Sequence, residues 1–108
     1  MLSSGCGALA QYTKMLASEA VPRPKNATPT QAAGLGIAGL TAYQALEDIA
    51  KLEAGQSVFV NGGSAAVGSF AIQLAKAKGA KVAASASGKN EQYVRDMGAD
   101  EVRAFALI

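Results

Sequence analysis

Between Asn61 and Ser69 the chain reads Asn-Gly-Gly-Ser-Ala-Ala-Val-Gly-Ser, a run of small side chains that leaves backbone N–H groups open to approach. A pyrophosphate needs such donors at a helix N-terminus, with neighbours small enough for its oxygens to reach them. Against the pattern G-x-G-x-x-G, the register Gly63-x-Ala65-x-x-Gly68 keeps the first and last glycines and carries alanine at the middle one. That alanine adds a methyl where backbone and phosphate come closest. Gly63 and Gly68 also have the spacing of a nucleoside-triphosphate loop. Ser69 and Phe70, however, stand where lysine and then Ser or Thr should follow, so the cation for the β- and γ-phosphates is missing. Gly62, Gly63, Ser64, Ala65, Ala66, Val67 and Gly68 are therefore the candidate pyrophosphate residues of a dinucleotide site.

A second chemical choice falls about twenty residues on, near Ala86. There an acidic side chain would accept hydrogen bonds from the adenosine ribose of NAD. No carboxylate occurs from Ala80 to Asn90, whereas Ser85, Ser87, Lys89 and Asn90 offer donors and one cation. Such a set suits a 2′-phosphate, so NADP(H) is the expected cofactor, with Ser87 and Lys89 as its candidate contacts.

These residues must be positioned by regular elements. Ser57 to Val60 is a β-branched and aromatic run leading straight into the glycine turn, and Ala66 to Lys78 is predicted helical with Gly68, Ala71, Ile72 and Ala75 on one face. Gly79 is its expected C-terminal cap. Val82 to Ala86 reads as a second strand, Glu91 to Met97 as a short helix ended by Gly98, and Val102 to about Leu107 as a third strand. The order is β-α-β-α-β with short connections, which requires right-handed crossovers and a parallel sheet. The expected fold is thus α/β, the first half of a Rossmann doubly wound domain.

Upstream, Thr28, Pro29 and Gln31 form a helix-start signature, and Gly34, Gly36 and Gly39 are expected to interrupt the helix. Leu40, Tyr43, Leu46 and Ile49 then recur at near-helical spacing as one apolar stripe. Pro22, Pro24 and Pro29 make Val21 to Pro29 an extended linker. Gly7 to Met15 has the weak alternation of a strand or its remnant, with Tyr12 as a packing residue.

Composition narrows the partners. With 108 residues and 50% hydrophobic content there is room for one small core, and a net charge of +2, scattered along the chain, gives no face for nucleic acid. Cys6 is the single cysteine and histidine is absent, which excludes an intrachain disulfide and the usual Cys/His zinc sets. A reducing, cytoplasmic setting is expected. Every apolar run is interrupted before membrane-spanning length, and Met1 to Tyr12 lacks the pattern of a signal peptide.

Gly-Leu-Thr-Ala-Tyr-Gln-Ala-Leu at Gly39–Leu46, the stretch from Val58 to Lys76, and Met-Gly-Ala-Asp-Glu-Val at Met97–Val102 together resemble the medium-chain dehydrogenase/reductase superfamily. Its zinc-free quinone oxidoreductase and enoyl reductase branch is the most similar. The resemblance implies hydride transfer from NADPH to a quinone, an enone or an enoyl thioester, with Thr41 near the nicotinamide. It also implies no metal, because Leu35 stands between Gly34 and Gly36 where zinc-dependent members place a cysteine ligand. Residues 1–27 would be the tail of a GroES-like substrate domain and linker, and 28–108 a partial NADP-binding domain, so the chain reads as a fragment. No catalytic acid is assigned: Tyr43 is expected in the core. The short-chain dehydrogenases are disfavoured because none of Tyr12, Tyr43 and Tyr93 has a lysine four residues later.

The alternative is a non-catalytic, truncated nucleotide-binding or self-associating module. A half sheet leaves the Ser57 strand as an open edge, and a homo-oligomer formed through that edge is the expected assembly.

Overall fold

The computed structural model describes residues 7–105. By contact they fall into two compact units, divided between Gly36 and Ile37. In the first unit Thr28 caps helix α1 (Pro29–Ala33). Its hydroxyl accepts from the Gln31 amide at 3.2 Å, and the Gln31 side chain accepts from the Thr28 N–H at 2.9 Å. The capping box expected there is complete, with Pro29 at the first helical position where its missing N–H costs nothing. The linker is not wholly extended, since Ala27 N–H bonds back to Pro24 carbonyl at 3.1 Å in a turn.

The strand expected at Gly7 to Met15 is not formed. Those residues carry no ladder, and Tyr12 is 90% exposed instead of packed. A strand needs a partner for its backbone groups, and none among the described residues pairs with this stretch.

A π-helical turn at Leu35–Gly39 spans the division, and in the second unit α2 (Leu40–Tyr43) runs on into another at Gln44–Ile49. The turn at Gln44–Ile49 falls inside the expected stripe and upsets it, because it shifts the side chains after it around the axis. Ala42 and Leu46 are buried, while Leu40, Tyr43 and Ile49 are exposed, so Tyr43 is not a core residue. The helical run ends at Lys51, whose φ of 49° is left-handed, and Leu52 N–H returns to Leu46 carbonyl at 2.8 Å. This reversal carries Leu52 into the core.

Strands β1 (Ser57–Val60), β2 (Lys81–Ser87) and β3 (Glu101–Phe105) form one parallel sheet in the order β1-β2-β3, with Val58 opposite Val82 and Ala84 opposite Val102. Helix α3 (Ala66–Ala77) crosses from β1 to β2, and α4 (Glu91–Asp96) from β2 to β3. Both lie on one face, where Ile72, Ala75 and Val94 pack with Val60, Val82, Ala84 and Ala86. Four of the buried positions in and beside the sheet, Ala80, Ala84, Ala86 and Ala99, are alanine, which lets the helices sit close. The opposite face keeps Phe59 and Phe105 exposed. This is the first half of a Rossmann sheet. The final stretch of the expected third strand, residues 106–107, lies outside the described residues. No helix among the described residues is long and apolar enough to cross a membrane.

Candidate dinucleotide site

The turn after β1 is built by three glycines with three different tasks. Gly62 has φ of +75°, a left-handed conformation that side chains resist. Gly63 is a packing position: a Cβ there would lie 3.0 Å from both Ala84 Cβ and Ile72 Cδ1. Gly68, in the first turn of α3, passes so close to Gly62 that a Cβ would fall 3.0 Å from its carbonyl carbon and nearer still to its oxygen.

The same turn is held by hydrogen bonds. Ala65 N–H donates to Gly62 carbonyl at 3.0 Å, and Gly63 N–H donates to Ser85 carbonyl at 2.8 Å. Gly62 N–H donates to Ser85 Oγ at 2.9 Å, and that hydroxyl donates to Asn61 Oδ1 at 2.6 Å. Ser85 is buried in this arrangement. It is therefore not among the donors facing a 2′-phosphate, as its place near the end of β2 had suggested.

What remains free is the start of α3. Ala65 is its N-cap in extended conformation and offers no side-chain cap, and the first helical bond runs from Ser69 N–H to Ala65 carbonyl at 2.8 Å. The N–H groups of Ala66, Val67 and Gly68 have no acceptor among the described residues. Three unpartnered donors at the positive end of a helix dipole, beside a backbone cleared of side chains, fit a pyrophosphate. The alanine at the middle position has an ordinary φ of −76°, so the turn does not require glycine there.

The turn after β2 lies against this one. Asn90 Nδ2 donates to Ser64 Oγ at 3.3 Å, joining the Gly88–Asn90 turn to the glycine turn. Ser87 is half-buried at the end of β2, and Lys89 is exposed with no ion pair among the described residues. Thr41 stands apart. It is exposed on α2, which packs against α3, its hydroxyl donates to Ile37 carbonyl at 2.6 Å, and no hydrogen bond links it to the turn.

Sequence reasoning missed two supports. One is Ser85. The other is Asp100, whose carboxylate accepts from Val82 N–H at 2.7 Å and from Lys76 Nζ at 2.9 Å. The Val82 hydrogen bond, and after it the Lys76 bond, hold its pKa below the ordinary aspartate value. Asp100 ties the starts of β2 and β3 to α3 at the end of the sheet opposite the glycine turn.

No family model matches the chain. A trans-enoyl reductase of Aspergillus terreus is 42% identical over 103 residues, covering 94% of this chain and 29% of the relative. A mitochondrial NAD(P)H oxidoreductase of Mus musculus is 38% identical over 105 residues, covering 94% of this chain and 26% of the relative. The solved structure of the quinone oxidoreductase of Coxiella burnetii aligns with a TM-score of 0.72 at 38% identity, covering 77% of this chain and 26% of that one. The chain spans less than a third of the length of each. Shared sequence over nearly the whole chain, laid on a shared fold, makes it a member of the medium-chain dehydrogenase/reductase superfamily, similar to the enoyl and quinone reductases within it.

Proposed function

We propose that the chain is the pyrophosphate-binding part of an NADPH-dependent reductase of the zinc-free type, acting on a quinone, an enone or an enoyl thioester. The observation that carries this is the uncapped start of α3, with Ala66, Val67 and Gly68 N–H groups free beside a turn cleared by Gly62 and Gly68. The bound nicotinamide would supply the hydride; the residues of this chain bind and orient. Ala66, Val67 and Gly68 hold the pyrophosphate. Ser87 and Lys89, at the end of a strand with no nearby carboxylate, receive the 2′-phosphate, which favours NADPH over NADH. Thr41, on the helix packed against α3, serves the nicotinamide end. Leu35, at the place of the cysteine ligand in zinc-dependent members, supports the metal-free assignment. A chain with one cysteine suits a reducing compartment, the cytoplasm or an organelle like that of the mitochondrial relative.

Titration with NADPH and NADH, followed by reduced-nicotinamide fluorescence, tests the reading. NADPH is expected to bind more tightly. Failure of both to bind below millimolar concentration would overturn it.

One observation favours a second role beside the first. The outer edge of β1 is unpaired among the described residues, and an open edge recruits a second copy of a chain. A sedimentation profile that stays monomeric at high concentration would exclude this assembly.

A further inference from the structure

We propose that Ser85 is the positioning residue of the glycine turn, the group that fixes which backbone donors are spent inside the protein and which are left for phosphate; this rests on the dinucleotide reading above. The ladder between β1 and β2 ends at the pair Val60 and Ala84. Ser85 is the next residue of β2, at the point where β1 has already turned away. Were nothing to replace the ladder there, the N–H groups of Gly62 and Gly63 would be left without acceptors at a partly buried place.

Ser85 takes both. Its carbonyl accepts from Gly63 N–H at 2.8 Å, as a continued strand would, and its hydroxyl accepts from Gly62 N–H at 2.9 Å. A serine hydroxyl has one proton and two lone pairs, so after accepting from Gly62 it still donates, and it does so to Asn61 Oδ1 at 2.6 Å. One buried side chain thus grips residues on both sides of the first bend. With Gly62 so held, its carbonyl lies against Gly68 in the first turn of α3 and accepts from Ala65 N–H at 3.0 Å. The carbonyl function belongs to any residue at position 85. The hydroxyl function belongs only to a small side chain that can accept and donate at once, which valine and alanine cannot do.

The test uses the full chain with Ser85→Ala, Ser85→Thr and Asn61→Ala, read by amide hydrogen exchange and by NADPH titration. In Ser85→Ala the Gly62 amide is expected to exchange at least about tenfold faster while Gly63 and Val94 keep their protection, and NADPH to bind about tenfold more weakly, the effect of one lost buried hydrogen bond. Ser85→Thr keeps the hydroxyl in a strand that favours β-branching and is expected to restore both readouts to within about threefold. Should Ser85→Ala fail to fold, Asn61→Ala removes the exposed acceptor without opening the core, and is expected to raise Gly62 exchange and weaken NADPH a few-fold. Unchanged Gly62 exchange, faster exchange with unchanged NADPH affinity, or no rescue by threonine would each overturn the role of the hydroxyl. If the unsubstituted chain binds no NADPH, the cofactor reading fails on that result alone, and the Gly62 exchange rate still decides whether Ser85 holds the turn.

Discussion

The carbonyl group of Gly62 occupies the space that a side chain on Gly68 would need, with only 3.0 Å between its carbon and a Cβ placed there. The obstruction is backbone, which cannot swing aside as a side chain can. Gly68→Ala is therefore expected to cost about 2–4 kcal/mol, at or above the usual overpacking penalty, and to abolish NADPH binding by opening the turn. Gly62→Ala meets no neighbour within 4 Å and bears only the strain of its φ of +75°, about 1–2 kcal/mol. Urea unfolding of the two variants should rank them in that order. Equal losses would show that the close approach is not what Gly68 supplies.

Lys89 is exposed in the middle of the Gly88–Asn90 turn and is committed to no carboxylate among the described residues. If it meets the 2′-phosphate, Lys89→Gln should weaken NADPH about tenfold, the scale of one charge-assisted hydrogen bond, and leave NADH unchanged. Paired titrations with the two cofactors check this. Equal weakening of both would move Lys89 to a general phosphate role.

Asp100 gives the fold an acid-sensitive joint. Its carboxyl has a lowered pKa in the folded chain, first through the Val82 hydrogen bond and then through Lys76, so the native state binds its proton less readily than the unfolded chain. Its contribution is complete above the unfolded value near pH 4 and is lost as pH falls through the lower folded value. Asp100→Asn should lower the thermal midpoint at pH 7 and narrow its gap from the unsubstituted chain as pH falls through the acid range below about 4. A constant gap across that range would place the stabilisation elsewhere.

Much of this was legible from residue types alone. The β-α-β-α-β order, the Thr28 capping box, and the turn glycines Gly79 and Gly98 follow from local chemistry, since each depends on neighbours a few residues away. What could not be read depended on distant partners. Ser85 looks like a surface donor until Asn61, twenty-four residues earlier, is brought against it. Asp100 looks like a loop carboxylate until Val82 and Lys76 converge on it. The Leu40 to Ile49 stripe misled because the π-helical turn at Gln44–Ile49 changes the period on which stripe reasoning relies. Tyr12 failed as a packing residue and Tyr43 as a core residue for one reason: apolar character does not say what a side chain will meet.

Lys51 is the one described residue other than glycine with a positive φ, 49°. It ends the helical run where glycine is the usual choice, because the left-handed conformation crowds a Cβ. Lys51→Gly relieves that strain but raises the entropy of the unfolded chain, and the balance is expected to be a gain of about 0.5–1 kcal/mol. Lys51→Ala keeps the strain and should show no such gain. Chemical denaturation of the pair separates the backbone effect from loss of the charge.

The uncapped start of α3 permits a test in which stability and binding should move in opposite directions. Ala65 is the N-cap and has no side-chain acceptor, so Ala66, Val67 and Gly68 N–H groups stay open. Ala65→Asp supplies a carboxylate for one of those donors and a negative charge at the positive end of the helix, which is expected to stabilise the fold by about 1 kcal/mol. The same carboxylate occupies the place proposed for the pyrophosphate and repels it. NADPH affinity should therefore fall more than tenfold while the unfolding midpoint rises. Substitution by serine should cap with less repulsion, giving a comparable rise in stability and a smaller loss of binding. A variant that is more stable and binds NADPH as before would show that the cofactor does not use this helix end, because a bound anion and a fixed carboxylate cannot share the same three donors.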